Sequence, residues 1–521
     1  MRLIGAGLIA AFVAAPLGSS AFEPRTGDFS RDRAEYVRVL TYNVEKKFPA
    51  GTTAEDAAFG RVLLTIAPDV ISMNEIGDGT TAGEVKNRLE GILGGTWTVN
   101  LGKSDSFNMN CLASRYPLTM MLDDSTPASE VRGITMGLVD LPNATYSTDL
   151  FAMSIHFKSG STATDDPRRQ TAADASARWF NDLSHAGGNV NVPANTPFVL
   201  MGDTNFYDDF VTQFDTTMRT GDIVNNATYG PDVKGDWDDT DMGEATPLNV
   251  YNYTRKTWPS TSATGSSRID RFYYTDSAMT IAQCFVFNPS TMTAAQRLGP
   301  SGNRALQSTD TSATSDHNPV VCDFAVAPFT VQEPLYHAVY TTEFMADPSA
   351  VSDTNGEWFE LYNPGAAAVN INGYVLKDEG SEFHRVDSPN PVLVPAGGFL
   401  VLGRNATTTT NGNVPVDYSY GATLFMANSA GDAIELYRGS MKIDGVRFNG
   451  GAQSLDLLNV DWGAGPQVSG QSRMMTGDYS SGPTNTFAQS TVQYNSVDKG
   501  TPGSANEPTA PLTSYEAWMI Y

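Results

Sequence analysis

The chain has 521 residues, of which 40% are hydrophobic and 17% are charged. These values predict several domains with buried cores and exclude a disordered or coiled-coil chain. Its 33 Lys and Arg residues stand against 58 Asp and Glu residues, so the formal net charge is −25. Spread evenly, such a charge would disfavour binding to nucleic acid or acidic membranes. The three cysteines are too few for a disulfide framework, although one bridge, Cys284 with Cys322, is conceivable.

The N-terminus has the pattern of a secretory signal peptide. Residues 1–21 combine one early positive charge, a short apolar run and a small-residue exit at Ser19-Ser20-Ala21. The apolar run is too short to span a membrane, and no later segment approaches the ~20 apolar residues that a spanning helix needs. We therefore expect export to the extracellular space or the periplasm, without a transmembrane segment.

Short strand-like runs and longer helix-like runs alternate over residues 36–326. Apolar runs rich in β-branched and aromatic residues predict strands over 37–44, 69–76, 150–157, 197–206, 268–274 and 319–324. The segments between them predict helices over 54–67, 82–93 and 167–183. In the last of these, Asp166 is the expected cap and Pro167 the first helical residue. Such mixing indicates a sheet-based α/β or α+β domain.

A short linker with two prolines, 327–336, separates this region from one of different composition. Residues 337–507 are rich in Gly, Asn, Ser and Thr, and short strand-like runs lie between turn signals at 358–361, 399–402, 433–437 and 445–448. This pattern predicts an all-β sandwich of immunoglobulin-like size. Residues 508–521 follow it as a C-terminal tail.

Polar residues lie at the ends of the predicted strands, where open sheets place their sites. They are Asn43, Glu75, His156, Asp203, Asn205, Asp270, Asp316 and His317. The carboxylates of Glu75 and Asp316 form, with the amide of Asn43, an all-oxygen set suited to Mg²⁺ or Mn²⁺. The histidines can transfer protons near neutral pH, and a carboxylate such as Asp270 can orient one of them. Together these groups suit the hydrolysis of a phosphate ester.

Six motifs resemble those of the endonuclease/exonuclease/phosphatase superfamily and occur in the family's order over 37–324. They are Leu40-Thr41-Tyr42-Asn43-Val44, the segment from Pro68-Asp69-Val70 to Glu75, Ser154-Ile155-His156-Phe157-Lys158-Ser159, Met201-Gly202-Asp203-Thr204-Asn205, Arg268-Ile269-Asp270 and Ser315-Asp316-His317-Asn318-Pro319-Val320. The resemblance implies a four-layer α/β sandwich, in which two mixed sheets lie face to face with helices outside.

The resemblance also implies a metal site. Glu75 would be the main ligand of Mg²⁺ or Mn²⁺, with Asn43 and Asp316 nearby. Ca²⁺ is a further candidate, because residues 232–241 form an acidic run. The spacing of that run misses the EF-hand pattern, so a solvated acidic loop is the favoured interpretation.

Catalytic roles are implied for the remaining matched residues. His317, paired with Asp270, would be the general base or the group that polarises the phosphate. His156 would bind phosphate or assist the leaving group. Asp203 and Asn205 would position the attacking water and the phosphate. Whether the aspartate of the Gly-Asp-x-Asn motif or the final histidine activates the water stays open.

Four basic residues are candidates for contact with the substrate phosphate. Arg115 belongs to a segment similar to the Ser-Arg-x-Pro strand entry of many family members, and Lys158 follows the His156 motif. Arg168 and Arg169 begin a predicted helix, where backbone amides favour anions. A solvated helix start is an equally ordinary setting for such residues. Substrate binding would then depend on the metal and on local cations, not on the overall charge.

The distal region resembles a lamin-tail domain. The matching motifs are Thr342-Glu343-Phe344-Met345, the segment 356–364, the segment 394–402 and Gly500-Thr501-Pro502-Gly503. The resemblance implies an immunoglobulin-like sandwich without a catalytic role, which could bind a cell surface, matrix or polymer.

The sequence as a whole predicts a secreted, divalent-metal-dependent phosphodiesterase, in particular a nuclease that hydrolyses extracellular DNA or RNA by in-line attack of an activated water. One alternative is a phosphoesterase on lipid or small phosphates, of the sphingomyelinase or phosphatase type. A clear exposed aromatic hairpin for membrane contact is missing, which disfavours the lipid substrate. The other alternative is an adhesion or matrix-binding protein with a vestigial catalytic domain.

Overall fold

The computed structural model describes residues 22, 26–124, 133–160, 162, 164–185, 187–207, 213–263, 265–330, 338–378, 382–438, 441–450, 461–480, 484 and 486–507. The expected signal peptide at 1–21, the tail at 508–521 and most of the linker at 327–336 lie outside these residues. Within the described residues, no helix is long and apolar enough to cross a membrane.

Short runs rich in β-branched and aromatic residues form the strands of the first region. In chain order they are β1 (Val37–Asn43), β2 (Val70–Gly77), β3 (Thr98–Leu101), β4 (Asn108–Ser114), β5 (Leu118–Asp124), β6 (Ile134–Val139), β7 (Leu150–His156), β8 (Phe198–Asp203), β9 (Gly243–Ala245), β10 (Leu248–Asn249), β11 (Asp270–Tyr274), β12 (Met279–Val286) and β13 (Val320–Val326). The six predicted strands are confirmed as β1, β2, β7, β8, β11 and β13.

Helices connect these strands. They are α1 (Thr53–Ile66), α2 (Ala82–Leu93), α3 (Asp165–Ser184), α4 (Gln213–Thr220), α5 (Asn226–Tyr229), α6 (Ala294–Leu298) and α7 (Asp310–Thr314). The three predicted helices are present, and capping boxes at Thr52 and Thr81 fix the starts of α1 and α2. The expected start of α3 is wrong: the helix begins at Asp165 after Thr164, which places both Asp166 and Pro167 inside its first turn.

Two mixed sheets face each other in this region. Their strand orders are β10-β12-β13-β1-β2-β4-β3 and β5-β6-β7-β8-β11-β9. Because side chains alternate along a strand, Val39 of β1 joins the core between the sheets, whereas Leu40 and Tyr42 face the helices. Residues of α1 and α2 pack on the outside of the first sheet, and residues of α3 and α4 on the outside of the second. The fold is the predicted four-layer α/β sandwich.

A buried ion pair stabilises the start of β1. Arg38 donates to both carboxylate oxygens of Asp323 on β13, at 2.6 and 2.7 Å, and to the carbonyl oxygens of Phe29 and Ile66, each at 2.7 Å. The side chains of Arg38 and Asp323 are only 2% and 1% exposed. Removing one partner would therefore leave an uncompensated charge inside the protein.

We expect Arg38→Ala to lower the free energy of unfolding by about 3–5 kcal/mol, the cost of an unpaired buried charge. The measurement is denaturant unfolding of the full chain. Lys86→Ala is the matched control, because Lys86 forms only a half-exposed pair with Glu90 at 3.8 Å, and its loss should cost less than about 0.5 kcal/mol. Equal effects of the two substitutions would contradict the importance of the buried pair.

The distal region is rich in β-structure. Its elements are β14 (Tyr340–Met345), α8 (Asp353–Gly356), β15 (Trp358–Tyr362), β16 (Val369–Asn370), β17 (Val375–Lys377), β18 (Phe383–Arg385), β19 (Leu393–Val394), β20 (Phe399–Gly403), β21 (Tyr418–Ser419), β22 (Asp432–Arg438), β23 (Met441–Phe448), β24 (Asp461–Gly465), β25 (Arg473–Met475) and β26 (Phe487–Gln489). The larger sheets, β21-β20-β15-β14-β25-β26 and β18-β17-β22-β23-β24, share one apolar core. This agrees with the predicted all-β sandwich.

The cysteines form no disulfide. Cys111, Cys284 and Cys322 are all buried free thiols. Cys284 on β12 and Cys322 on β13 are register partners, so the pair considered from the sequence is adjacent in space but not bonded.

Candidate active site

The predicted site residues meet at one edge of the two facing sheets. Asn43 ends β1 and Glu75 lies near the end of the parallel strand β2. His156 ends β7 and is the register partner of Asp203 at the end of β8. Asp203 is in turn opposite Asp270, which begins the antiparallel strand β11. The strand topology therefore brings together residues that are more than 200 positions apart in sequence.

His317 and Asp270 form a buried pair. His317 Nδ1 lies 2.9 Å from Asp270 Oδ2, and the two side chains are 5% and 1% exposed. The backbone N–H of His317 donates to the Ser315 hydroxyl at 2.9 Å, which fixes the start of this turn. Burial disfavours a charge on His317, but the carboxylates of Asp270 and Asp203 outweigh it and raise the pKa of the imidazole to about 10. The geometry therefore favours an imidazolium that is oriented by Asp270.

Asp203 lies at the centre of the cluster. Its Oδ2 is 3.4 Å from His156 Nε2 and 3.7 Å from His317 Nε2. The same oxygen accepts a hydrogen bond from Asn43 Nδ2 at 3.1 Å. Burial raises the pKa of Asp203 to about 7, with His317 acting against the shift and Asp270 adding to it. A carboxyl group of this kind can accept and release a proton near neutrality.

The Gly-Asp-x-Asn motif begins in the last residues of β8, where the close approach of β7 requires a glycine. At Gly202, with φ +150°, a Cβ would stand 1.9 Å from the carbonyl oxygen of Ile155. Asn205 adopts a left-handed φ of +52°. Its Nδ2 donates to the carbonyl of Phe157 at 3.2 Å, and its Oδ1 accepts from the hydroxyl of Tyr207 at 3.0 Å. The Asn205 side chain is thus held rigidly beside Asp203.

The carboxylate of Glu75 is more accessible than those of Asp203 and Asp270, which are 3% and 1% exposed. Its side chain is 26% exposed, and its Oε1 lies 3.8 Å from His156 Nε2 and 3.3 Å from Asn43 Nδ2. A positive φ of 60° at Glu75 accompanies an irregularity of the β2–β4 pairing between Met73 and Ile76. This bulge turns the carboxylate towards the site.

Asp316 lies at the other side of the His317 turn. Its Oδ1 is 3.9 Å from His317 Nε2, and its side chain is 46% exposed. Its Oδ2 accepts from the indole N–H of Trp258 at 2.9 Å, and its backbone N–H donates to Glu45 at 3.0 Å. The Asp316 carboxylate is therefore held in place while one oxygen remains directed to the site.

The donor set fits a small hard cation. Among the described residues, no group of three or more His, Cys, Asp and Glu side chains could enclose a metal. Mg²⁺ does not need such a cage, because it usually binds one or two carboxylates and keeps water or substrate phosphate as its other ligands. The carboxylates of Glu75 and Asp316 would supply this kind of open, oxygen-based site. The predicted ligand Asn43 instead directs its amide nitrogen to Glu75 and Asp203, because its Oδ1 accepts from the backbone N–H of Glu45.

The four basic residues that were expected to contact the substrate phosphate do not all lie at the cluster. Arg115 lies beside Asp69, which immediately precedes β2, at the opposite end of that strand from Glu75; its Nη1 is 3.1 Å from Asp69. With a rise of about 3.3 Å per residue, this separates Arg115 from the site by roughly 20 Å. The structure therefore does not bring Arg115 to the cluster.

Arg169 is a structural residue of the loop that follows β7. Its side chain is 4% exposed and donates to the carbonyl oxygens of Lys158 and Gly160 at 2.7 and 2.8 Å. Lys158 lies two residues after His156 and pairs with Asp165 at 3.3 Å. Arg168 is half-buried in the first turn of α3. Of the four candidates, Lys158 is the nearest in sequence to a residue of the cluster, His156.

Sequence reasoning missed several residues that support the site. Asn74 joins the two sheets: its Nδ2 donates to the carbonyl of Ile155 at 2.7 Å, and its Oδ1 accepts from the backbone N–H of Asp203 at 2.9 Å. Thr257 accepts from the backbone N–H of Asp270 at 3.2 Å. Asn74 lies within the matched segment that ends at Glu75, and this position was the available signal for its role. Thr257 and Trp258 lie in a segment without a recognised motif, so the sequence contained no signal for either residue.

Two family models match the two regions of the chain. A model of the Endonuclease/Exonuclease/phosphatase family matches residues 40–317, and a model of the Lamin Tail Domain matches residues 333–450. No curated protein matches the chain. Similar solved structures include an endonuclease/exonuclease/phosphatase from Beutenbergia cavernae, with 13% identity, a TM-score of 0.36, and coverage of 79% of this chain and 99% of that one.

Two further structures have the same degree of similarity. An endonuclease/exonuclease/phosphatase from Bacteroides vulgatus is 14% identical, with a TM-score of 0.37 and coverage of 56% of this chain and 99% of that one. The human Nocturnin catalytic domain is 11% identical, with a TM-score of 0.34 and coverage of 56% and 95%. Since the family model spans more than half of the 521 residues, the chain belongs to the endonuclease/exonuclease/phosphatase family and carries a C-terminal lamin-tail domain.

Proposed function

We propose that this chain is a secreted, divalent-metal-dependent phosphodiesterase that acts as a nuclease on extracellular DNA or RNA. The observation that carries the proposal is the arrangement around Asp203, whose Oδ2 has His156 and His317 within 3.7 Å and is linked through Asn43 to Glu75. This set combines a metal-binding carboxylate with proton-transfer groups, as phosphodiester hydrolysis requires. Export is supported by the sequence pattern of residues 1–21.

Glu75 would hold Mg²⁺ or Mn²⁺, with Asn43 and Asp316 beside it. When bound, the ion stabilises the negative charge that develops on the phosphoryl oxygens and the leaving oxygen. The carboxylate of Glu75 can take this role because it is partly exposed and is directed into the cluster. Side chains of the protein would carry out the proton transfers and bind the phosphate.

His317 and Asp203 would have different roles in the reaction. Two carboxylates lie next to His317, Asp270 at 2.9 Å and Asp203 at 3.7 Å, and both favour the imidazolium form. A charged imidazole can only donate hydrogen bonds, so His317 would hold a phosphoryl oxygen. Asp203 would then accept the proton of the attacking water as its oxygen bonds to phosphorus. This assignment favours the aspartate over the histidine as the base.

His156 would support the other side of the reaction. Its Nε2 lies 3.4 Å from Asp203 and 3.8 Å from Glu75, within reach of the phosphate or the leaving oxygen. As the new P–O bond forms, the bond to the leaving oxygen breaks. That oxygen takes up the proton that Asp203 accepted from the water, relayed through His156 Nε2, which lies 3.4 Å from Asp203. One phosphomonoester end and one alcohol end result.

An exposed aromatic residue beside the site favours a nucleobase-containing substrate. Phe107 is 69% exposed, and the Lys46 ammonium lies 5.9 Å from the centre of its ring. The carbonyl of Phe107 accepts from the backbone N–H of Asp78, and the backbone N–H of Lys46 donates to the carbonyl of Glu75. These bonds connect the aromatic ring and the cation to the segment that carries the metal ligand. A ring and a cation side by side are typical of single-strand binding surfaces.

We expect Phe107→Ala to raise KM for single-stranded DNA about tenfold, because stacking of one base on an aromatic ring stabilises binding by about 1–3 kcal/mol. KM for an oligomer of abasic deoxyribose phosphate should not change, since that substrate has no base to stack. Leu64→Ala, at a 61% exposed apolar residue of α1, is the matched control. Equal KM changes on both substrates would exclude base stacking at Phe107.

A substrate panel with a metal series tests the proposed function. Single-stranded DNA, plasmid DNA, RNA, sphingomyelin vesicles and p-nitrophenyl phosphate are each incubated with Mg²⁺, with Mn²⁺ and with a chelator. We expect cleavage of nucleic acid that depends on the metal. Turnover of sphingomyelin or of the phosphomonoester without cleavage of nucleic acid would overturn the nuclease assignment. Binding to cells or polymer without any hydrolysis would support the adhesion alternative.

A further inference from the structure

One segment of the catalytic domain touches the lamin-tail domain at one end and the active site at the other. It comprises residues 250–260, between β10 and β11, and is called the bridging segment below. At its first end, the ring of Tyr253 lies 4.8 Å from the ring of Phe383. Tyr253 is 3% exposed and shares a buried apolar cluster with Leu248, Val375 and Tyr437. The cluster therefore contains residues of both domains.

Arg255 adds a polar contact to the same interface. Its Nη2 donates to the hydroxyl of Tyr437 at 2.6 Å and lies 3.7 Å from Glu435 Oε1. Tyr437 in turn donates to Glu435 at 3.0 Å, and the Lys442 ammonium lies 2.9 Å from the same carboxylate. The Glu435 side chain is 4% exposed. A cation of the catalytic domain thus completes a buried charge cluster of the lamin-tail sheet.

The second end of the bridging segment holds the catalytic turn. The Trp258 indole N–H donates to Asp316 Oδ2 at 2.9 Å. The Ser260 backbone N–H donates to the carbonyl of Asp316 at 2.7 Å, and its hydroxyl donates to the carbonyl of Ser315 at 2.6 Å. Both side chains therefore act on the residues that immediately precede His317.

Thr257 connects the segment to the partner of His317. Its hydroxyl accepts from the backbone N–H groups of Ile269 and Asp270 at 3.1 and 3.2 Å. Its carbonyl accepts from the backbone N–H of Asn318 at 2.8 Å. Only one residue separates Arg255 from Thr257. A displacement of Arg255 at the domain interface would therefore also displace Thr257, and with it the backbone of Asp270.

We propose that the lamin-tail domain positions the active site. Through Arg255 and Tyr437, it would fix the bridging segment, and through Trp258 and Thr257 the segment would fix Asp316 and the His317–Asp270 pair. Arg255, Tyr437 and Trp258 are then positioning residues, because they act on the site through other residues. The lamin-tail domain is an integral part of the catalytic unit and not only a separable anchor. This inference rests on the proposed function.

The test uses the full chain and the variants Arg255→Ala and Tyr437→Phe. Each should lower kcat on single-stranded DNA about tenfold, the effect that interactions outside a site commonly transmit, and should raise the Mg²⁺ concentration needed for half-maximal rate. KM for DNA should stay unchanged. The double variant should be no worse than the more impaired single variant, because both substitutions break the same contact. Tyr494→Phe removes a half-buried hydroxyl elsewhere in the lamin-tail domain, which the indole N–H of Trp358 contacts at 3.3 Å, and should have no effect on rate.

A second readout does not depend on activity. The Trp258 indole N–H gives a proton–nitrogen resonance that Trp258→Phe identifies by its absence. We expect this resonance to shift in Arg255→Ala and in Tyr437→Phe, but not in Tyr494→Phe. Wild-type kinetics and an unshifted resonance in both interface variants would overturn the inference. If Arg255→Ala does not fold, Tyr437→Phe, which removes one oxygen atom, tests the inference by the same two measurements. Failure of the proposed function can be told apart from failure of this inference, because the wild-type protein would then cleave no nucleic acid.

Discussion

Replacement of His317 by alanine is expected to lower kcat on DNA at least ~100-fold, the scale of a lost hydrogen-bond donor to the charge that develops in the transition state. His317 is the imidazole that Asp270 orients at 2.9 Å and that faces Asp203 at 3.7 Å. Without it, the phosphoryl oxygen loses a charged donor and Asp203 loses its neighbouring cation. His156→Ala should have an effect of the same size, because His156 contacts the other side of the Asp203 carboxylate.

His185→Ala is the matched control for both substitutions. Its side chain is 42% exposed and lies 3.8 Å from Asp239, in the acidic surface run, so turnover should stay at the wild-type level. Steady-state kinetics are compared with the far-ultraviolet circular dichroism spectrum, because His317 is buried and its loss could affect folding. His317→Gln, which keeps much of the volume, serves as a second variant. Near-normal turnover in His317→Gln or in a folded His156→Ala would remove that histidine from the mechanism.

Glu75→Gln is expected to have the second large effect. The change keeps the size of the side chain and removes the charge that would hold the metal. We expect kcat/KM at a fixed Mg²⁺ concentration to fall at least about 100-fold, since even the loss of groups behind a metal ligand costs 10–100-fold. Part of the activity should return at higher Mg²⁺ or Mn²⁺ concentration, because the carboxylate of Asp316 remains.

The measurement is a metal titration of activity together with calorimetric titration of Mn²⁺. Glu35→Gln, at a 39% exposed carboxylate paired with Arg33, is the control and should leave both titrations unchanged. An unchanged metal requirement in Glu75→Gln would show that Glu75 is not a ligand. Chelation of the wild-type protein should abolish turnover reversibly, with activity restored by added metal.

Local sequence signals predicted the central strands and helices of the catalytic domain. Strands β1, β2, β7 and β8 are apolar over nearly their whole length, and the polar residues that follow them mark the sheet edge where the site forms. The strands β3, β4, β5, β6, β9, β10 and β12 were not predicted. β5 carries exposed Met120 and Met121 at the edge of its sheet, so it lacks the simple alternation from which strands are recognised.

Residues whose role depends on long-range pairing could not be predicted. Arg115 belongs to a segment that resembles a family motif. Its position, however, is decided by the pairing of β2 with β4, which places it beside Asp69 and away from Glu75. The contact of Trp258 with Asp316 joins positions 58 residues apart. No periodicity or motif in the sequence contains this information, because it arises only when the sheets assemble.

The overall charge was a poor guide to the site. Residues 327–521 carry 20 acidic and 8 basic side chains, so much of the negative charge belongs to the lamin-tail region. Within the site, the His317 imidazolium and a bound cation would offset the carboxylates. The net charge of −25 therefore bears on long-range steering, whereas substrate binding depends on local groups.

Hydrolysis of a defined single-stranded oligonucleotide in ¹⁸O-labelled water, before and after metal removal, tests the central claim most directly. The account predicts no cleavage in chelator, cleavage after Mg²⁺ or Mn²⁺ is restored, one ¹⁸O atom in the new phosphomonoester, and loss of this activity in His317→Ala. Cleavage that persists in chelator, a product without ¹⁸O, or no cleavage with either metal would contradict it.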